Sequence, residues 1–191
     1  MTRLLLLDTE TGGLDPERFS LLSVGLVLWE EGQLGAQDEF SVAEPEIRYE
    51  PEAMAVNRID VSILGATGLP PTQAVARLEH FLDSHFSRSP GDRILVAGHN
   101  VGFDVAFLRR LYRLAGRPGM TIFSHRVLDT SVILQFLALA GRLPATVTSS
   151  SGAFSYFGID LPPGKRHTAL ADARATGELL TKLVAFVRES Q

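Results

Sequence analysis

Three apolar segments crowd into the first 43 residues before any helical spacing appears, and that order constrains the fold more than any other feature of the chain. Residues 3–7 form a short apolar run ended by Asp8 and then by Gly12-Gly13, the pattern of a buried strand and a turn. Residues 21–29 (LLSVGLVLW) and 38–43 (DEFSVA) read as two more strands joined as a hairpin through Glu30-Glu31-Gly32. A three-strand meander therefore opens the fold. Pro51–Asn57 predicts a short helix led by proline, and residues 72–86 set Val75, Leu78, Leu82 and Phe86 on one helical face that should cover the sheet. Residues 94–97 predict a short strand that gives way at Gly98-His99-Asn100 to a helix over 103–115, spaced by Leu108, Leu111 and Tyr112. Two more helices are expected over 129–140 and 170–188, with a mobile Pro- and Gly-rich loop at 161–166 between them. A meander followed by alternating strands and helices implies an α/β domain: a mixed central sheet, opened by the meander and flanked by helices. The polar residues after its first and fourth strands stand where such sheets build sites.

The 191 residues show no repeat, low-complexity stretch or long charge run, so residues 1–191 read as one domain with an ordinary core. Without cysteine, thiolate catalysis, disulfides and cysteine zinc sites are excluded, and the cytoplasm is the expected location. The opening MTRLLLLDTE is too short in apolar residues for a signal peptide, and no apolar run approaches the ~18 residues of a membrane span, so no membrane partner is expected. A net charge of −4 argues against broad electrostatic binding of nucleic acid, yet it leaves open an acidic site that recruits metal.

Asp8 and Glu10 stand two apart at the end of the first strand, so an extended backbone sends both side chains to one face. Carboxylates held so close repel unless a cation neutralises them, and hard oxygen ligands suit Mg²⁺ or Mn²⁺. A D-x-E pair alone is common by accident. Asp104 falls in the first turn of a helix, where the macrodipole favours an acid. In HTALAD, His167 lies at or before a helix start and Asp172 about one turn inside it, so both can border one cleft. Leu170, Ala171, Ala173 and Ala175 give Asp172 a small, apolar surround, in which a carboxylate needs a partner.

With DTETGG, HNVGFD and HTALAD in that order, the chain resembles the DnaQ-like DEDDh 3′→5′ exonuclease family over nearly its whole length. EPEAMAVNRI (50–59) extends the likeness to a Pro-led helix beyond the site. The resemblance implies an RNase H-like fold, with Asp8, Glu10, Asp104 and Asp172 as metal-binding acids and His167 as general base. It implies two divalent ions, Mg²⁺ or Mn²⁺, as cofactors, and phosphodiester hydrolysis at the 3′ ends of single-stranded DNA or RNA. It also allows association with a DNA polymerase, in proofreading or repair. Its place after a Pro-Gly loop suggests that His167 swings in when substrate binds. By the same resemblance Thr9, Thr11 and Leu14, with Asn100 and Phe103, line the pocket for the terminal nucleotide.

Phe103 stands either as a stacking platform or as a core aromatic, and Asn100 either faces the pocket or caps its own turn. Two departures from the family pattern lie off the catalytic positions. Gly12-Gly13 replaces a commoner Thr-Gly, and TSSSGAFSYFG (148–158) lacks the leucines often found there. Arg109, Arg113 and Arg117 form a stripe that reads as a solvated helix face, leaving Lys165 and Arg166 as better phosphate contacts. Asp129-Thr130 resembles a dipeptide recurrent in the family, and a helix N-cap accounts for Asp129.

One rival is a phosphatase of the haloacid dehalogenase type, with Asp8 as nucleophile; its second acid should be aspartate, whereas here it is Glu10, and HNVGFD and HTALAD have no place in it. The other is a non-catalytic module of the same fold that binds nucleic acid or a polymerase, against which stands the retention of all five site residues. Only three residues follow Arg188, so the expectation is a stand-alone or weakly associated nuclease without a polymerase tether.

Overall fold

Strand β1 spans Arg3–Thr11, β2 Leu21–Glu30, β3 Gln33–Ser41, β4 Ile94–Gly98 and β5 Phe123–Asp129, and they pair in the order β3-β2-β1-β4-β5. The computed structural model describes residues 2–86, 91–117, 119–161 and 167–189. β2 runs antiparallel to β1 and β3, whereas β4 runs parallel to β1 and β5, so the sheet is mixed. The β2–β3 hairpin turns on Glu31 and Gly32, both at positive φ (49° and 89°), the backbone form that a two-residue turn between right-twisted strands requires.

β1 is central and buried on both faces, which is why its leucines run consecutively rather than alternately. Leu5 and Leu7 pack into the core beneath α3 (Pro71–His85) and α4 (Val101–Leu114), while Leu4 and Leu6 pack on the opposite face against α7 (Ala169–Arg188). This parity continues to the end of the strand and decides where each polar residue points. A register shift between Glu10 and Thr11 marks the end of regular pairing with β2.

Short helices α1 (Pro51–Asn57) and α2 (Val61–Thr67) follow the meander. After β5, α5 (Thr130–Leu139), a 3-10 turn (Ala145–Val147) and α6 (Ser150–Tyr156) enclose a small apolar cluster with α7, including Leu134, Leu143, Phe154, Leu179 and Leu183. None of the helices, among the described residues, is long and apolar enough to cross a membrane.

The α1 range and the apolar faces of α3 and α4 match the sequence reading. The third strand begins at Gln33 rather than 38, because an edge strand alternating exposed and half-buried positions carries a weak apolar signal. The same reason hid β5, whose middle residues are exposed. α2 and α6, seven residues each, are too short to show periodicity.

Candidate active site

Asp8 and Glu10 share the parity of Leu4 and Leu6, so they leave β1 on the α7 side. Asp172, in the first turn of α7, meets them there: one oxygen from each of the three half-buried carboxylates lies within 4.8 Å of the others. Glycine at position 25 makes this approach feasible. Gly25 pairs with Asp8 in the sheet, and a Cβ on it would stand 2.3 Å from the Ala169 backbone and 2.5 Å from Leu170 N. Glu39 secures the same helix start, its Oε1 accepting from Leu170 N at 3.1 Å. His167 takes the left-handed backbone form (φ 65°) two residues before the helix, and its amide donates to Asp172 Oδ2 at 2.9 Å. A strained residue thus closes the site's third motif.

Thr9 has the opposite parity, and from the other face its hydroxyl donates to Asp104 Oδ1 at 2.7 Å. Asp104 is 4% exposed and lies outside the 4.8 Å group, yet it lines the same cleft of about 240 Å³ with Asp8, Glu10, His167 and Asp172. All five motif residues therefore border one cavity at the end of β1.

Burial, reinforced by the neighbouring charges of Asp172, Asp104 and Glu39, pushes the Glu10 carboxyl up to about 8. Burial also lifts Asp104 to about 7, against the opposing hydrogen bond from Thr9. Three hard oxygen donors that cannot comfortably carry their charges together fit a divalent cation, which removes the repulsion.

The five expected substrate residues divide between two joined depressions. Thr9, Asn100 and Phe103 line the acidic cleft. Thr9, Thr11, Leu14 and Phe103 line an adjoining, largely apolar groove of about 340 Å³, with Val56 and Asn57 on its far wall. Phe103 is half-buried, tilted against Phe107 at 5.0 Å, and belongs to both depressions, so it serves as core edge and wall at once. Leu14 is 81% exposed at the rim of this groove. Thr11 is buried, its hydroxyl donating to Gly13 O at 2.8 Å, so it shapes the turn beneath Leu14. Asn100 makes no side-chain cap bond to α4.

Sequence reasoning missed His99, Ser150, Phe154 and Thr176, which also line the cleft. His99 sits inside HNVGFD, and Ser150 and Phe154 fall in the segment that departs from the family pattern; those were the available signals. The Gly12 departure has a steric basis, since a Cβ there would lie 2.2 Å from Arg48 O. Arg113 pairs with Glu17 at 2.8 Å, in keeping with a solvated helix face, but α4 ends at Leu114, so Arg117, paired with Glu79, stands beyond the helix and the expected three-arginine stripe does not form on one helical face. Sequence reasoning overlooked Arg110 on the same helix. Its guanidinium grips the buried Glu44 with two bonds (2.9 and 2.7 Å) and donates to Pro16 O, anchoring the loop after β1. Lys165 and Arg166 lie outside the described residues.

No protein-family model matches the chain. It is 30% identical over 185 residues to a DNA polymerase III subunit epsilon-like protein of Rhodobacter capsulatus, a match covering 95% of this chain and 23% of that protein. It is 22% identical to Ribonuclease T of Wigglesworthia glossinidia brevipalpis over 94% of this chain and 83% of the other. Among solved structures, E. coli exonuclease I in complex with a dT13 oligonucleotide superposes with a TM-score of 0.77 at 17% identity, over 100% of this chain and 42% of that one. The nuclease domain of 3′hExo, described as a DEDDh family member bound to rAMP, gives 0.76 at 13% identity, over 96% and 92%. The fold is thus the RNase H-like fold of these nucleases, and the chain spans about a quarter of the length of the first of these relatives.

Proposed function

We propose that the chain belongs to the DnaQ-like DEDDh exonucleases and that residues 1–191 form a metal-dependent 3′→5′ exonuclease domain that releases nucleoside monophosphates from single-stranded DNA or RNA ends. The observation that carries this reading is the meeting of Asp8, Glu10 and Asp172 within 4.8 Å on a cleft also bordered by Asp104 and His167.

In this reading Asp8, Glu10 and Asp172 hold a divalent ion and Asp104 serves a second, each Mg²⁺ or Mn²⁺. When bound, such ions neutralise charge on the transferring phosphoryl group and lower the cost of forming the nucleophile and releasing the sugar oxygen. His167 accepts the proton of the attacking water at a ring nitrogen, a task suited to imidazole near neutral pH. Phe103 and Leu14 flank the terminal nucleotide, Phe103 offering a ring face and Leu14 an exposed apolar contact. Thr9 holds Asp104 and keeps its carboxylate turned to the cleft.

The test is degradation of a 5′-labelled single-stranded DNA oligonucleotide and its RNA counterpart with Mg²⁺, Mn²⁺ or EDTA, beside the Asp8→Ala protein. The expected outcome is a ladder shortened from the 3′ end, abolished by EDTA and reduced about 10³-fold or more in the variant. The faster substrate decides between DNA and RNA. Intact substrates that the protein nevertheless binds would make it a non-catalytic binding module.

A further inference from the structure

We infer that Asp129, outside the three motifs and not itself a wall of the cleft, is a positioning residue that holds the HNVGFD turn in its working shape. Asp129 ends β5, opposite Gly98 in the sheet. Its Oδ1 accepts from Asn100 N at 2.9 Å and from Ser131 N and Oγ at 2.9 and 2.6 Å, and its Oδ2 accepts from Val101 N at 3.1 Å. One carboxylate thus serves the starts of two helices. The bonds to Ser131 cap α5, as the sequence suggests. The bonds to Asn100 and Val101 satisfy the first amides of α4, which have no acceptor inside their own helix.

The second pair matters because Asn100 is in the left-handed form (φ 58°, ψ 37°), which few residues other than glycine adopt and asparagine tolerates at only a small cost, so contacts to its amide help fix the turn. Asn100 makes no side-chain cap of its own, so the bracing comes from Asp129. The carbonyl of Asn100 then receives Phe103 N at 3.0 Å, and Asp104 follows one residue later. The shape of this turn therefore aims Asn100, Phe103 and Asp104 together. Thr130 secures the same turn from its other end: its buried hydroxyl donates to Gly98 O at 3.1 Å and lies 3.0 Å from His99 Nδ1. With its one proton given to Gly98, it accepts from Nδ1–H, which orients the His99 ring in the cleft.

The consequence for catalysis rests on the exonuclease reading; the consequence for the turn does not. Asp129→Ser keeps an α5 N-cap, but a single oxygen cannot span the amides of Asn100 and Val101. Asp129→Asn keeps the shape, but its NH₂ group faces an amide that also donates. Hydrogen exchange, followed by NMR, is expected to accelerate about tenfold or more at the Asn100 and Val101 amides in Asp129→Ser and at the Val101 amide in Asp129→Asn, while the α7 amides are unchanged. Oligonucleotide kcat/KM is expected to fall about 30-fold, mostly through KM, with Tm within a few degrees of wild type.

Unchanged exchange at both amides overturns the proposal, as does faster exchange with unaltered kcat/KM in an active nuclease, or full activity in Asp129→Asn. If Asp129→Ser fails to fold, Asp129→Asn carries the same measurements. A wild-type protein that leaves both oligonucleotides intact overturns the exonuclease reading instead, and the exchange result still decides whether Asp129 holds the turn.

Discussion

The two sides of the cleft are built on opposite principles. On the α7 side, backbone packing forces Asp8, Glu10 and Asp172 together: Gly25 admits the helix start against β2, and the carboxylates meet in mutual repulsion. On the α4 side, polar contacts fix geometry, with Thr9 donating to the buried Asp104 and Asp129 serving the helix start. One half gathers three acids in mutual repulsion, and the other holds a single buried acid whose hydrogen bond only partly offsets its burial.

Substitutions can break that contrast in order of their expected effect. His167→Ala is expected to cost roughly 10²–10⁴-fold in kcat, with Mn²⁺ binding, measured by calorimetry, retained. Equal loss of both would make the histidine part of the metal site rather than a base. Gly25→Ala puts a methyl group into the Ala169 backbone; we expect a loss of about 1–3 kcal/mol in denaturant unfolding and of about tenfold or more in activity as α7 lifts. Wild-type Mn²⁺ affinity in that variant would show that the trio does not depend on this contact.

Thr9→Val tests the other side. It removes the hydrogen bond that opposes the burial of Asp104, so the carboxyl should rise further above about 7, and the pH at which activity appears should move upward with it. The accompanying loss of stability is expected to be about 1–3 kcal/mol. An unmoved pH profile would remove Asp104 from the chemistry.

The effect with the least bearing on activity is the dependence of metal-free stability on pH. Glu10 titrates near 4.5 when unfolded and near 8 when folded, so the folded chain retains a proton that the unfolded chain has released. The stability linked to that proton is fully present below about pH 4.5 and is lost as pH rises through about 8. Tm should fall by several degrees across that interval, and Mg²⁺ or Mn²⁺ should restore it most at the alkaline end, where the ion takes the proton's place. Glu10→Gln should reduce the slope and leave the part due to Asp104; an unchanged slope would assign all of it to other groups.

Much of this was legible in the chain because it is local. A run of leucines ended by D-x-E carries its own parity, so the common face of Asp8 and Glu10 followed from period-two geometry alone. The helical faces of α3 and α4 followed equally from spacing. The order of the three motifs supported the family and, through it, the fold. Edge strands β3 and β5 were harder to read because water faces part of each and erases the apolar signal.

Tertiary structure alone decided how the motifs meet. That Gly25 must be glycine depends on Ala169, 144 positions away in the chain, and no local pattern announces a close approach between a strand and a distant helix. The difference between Asp104, buried and bonded to Thr9, and the half-buried, repelling trio likewise depends on burial, which the residue types do not encode. Which residues gather at the cleft is written in the motifs; their charge states and their aim come from the low-dielectric, close-packed surroundings that only the folded chain creates.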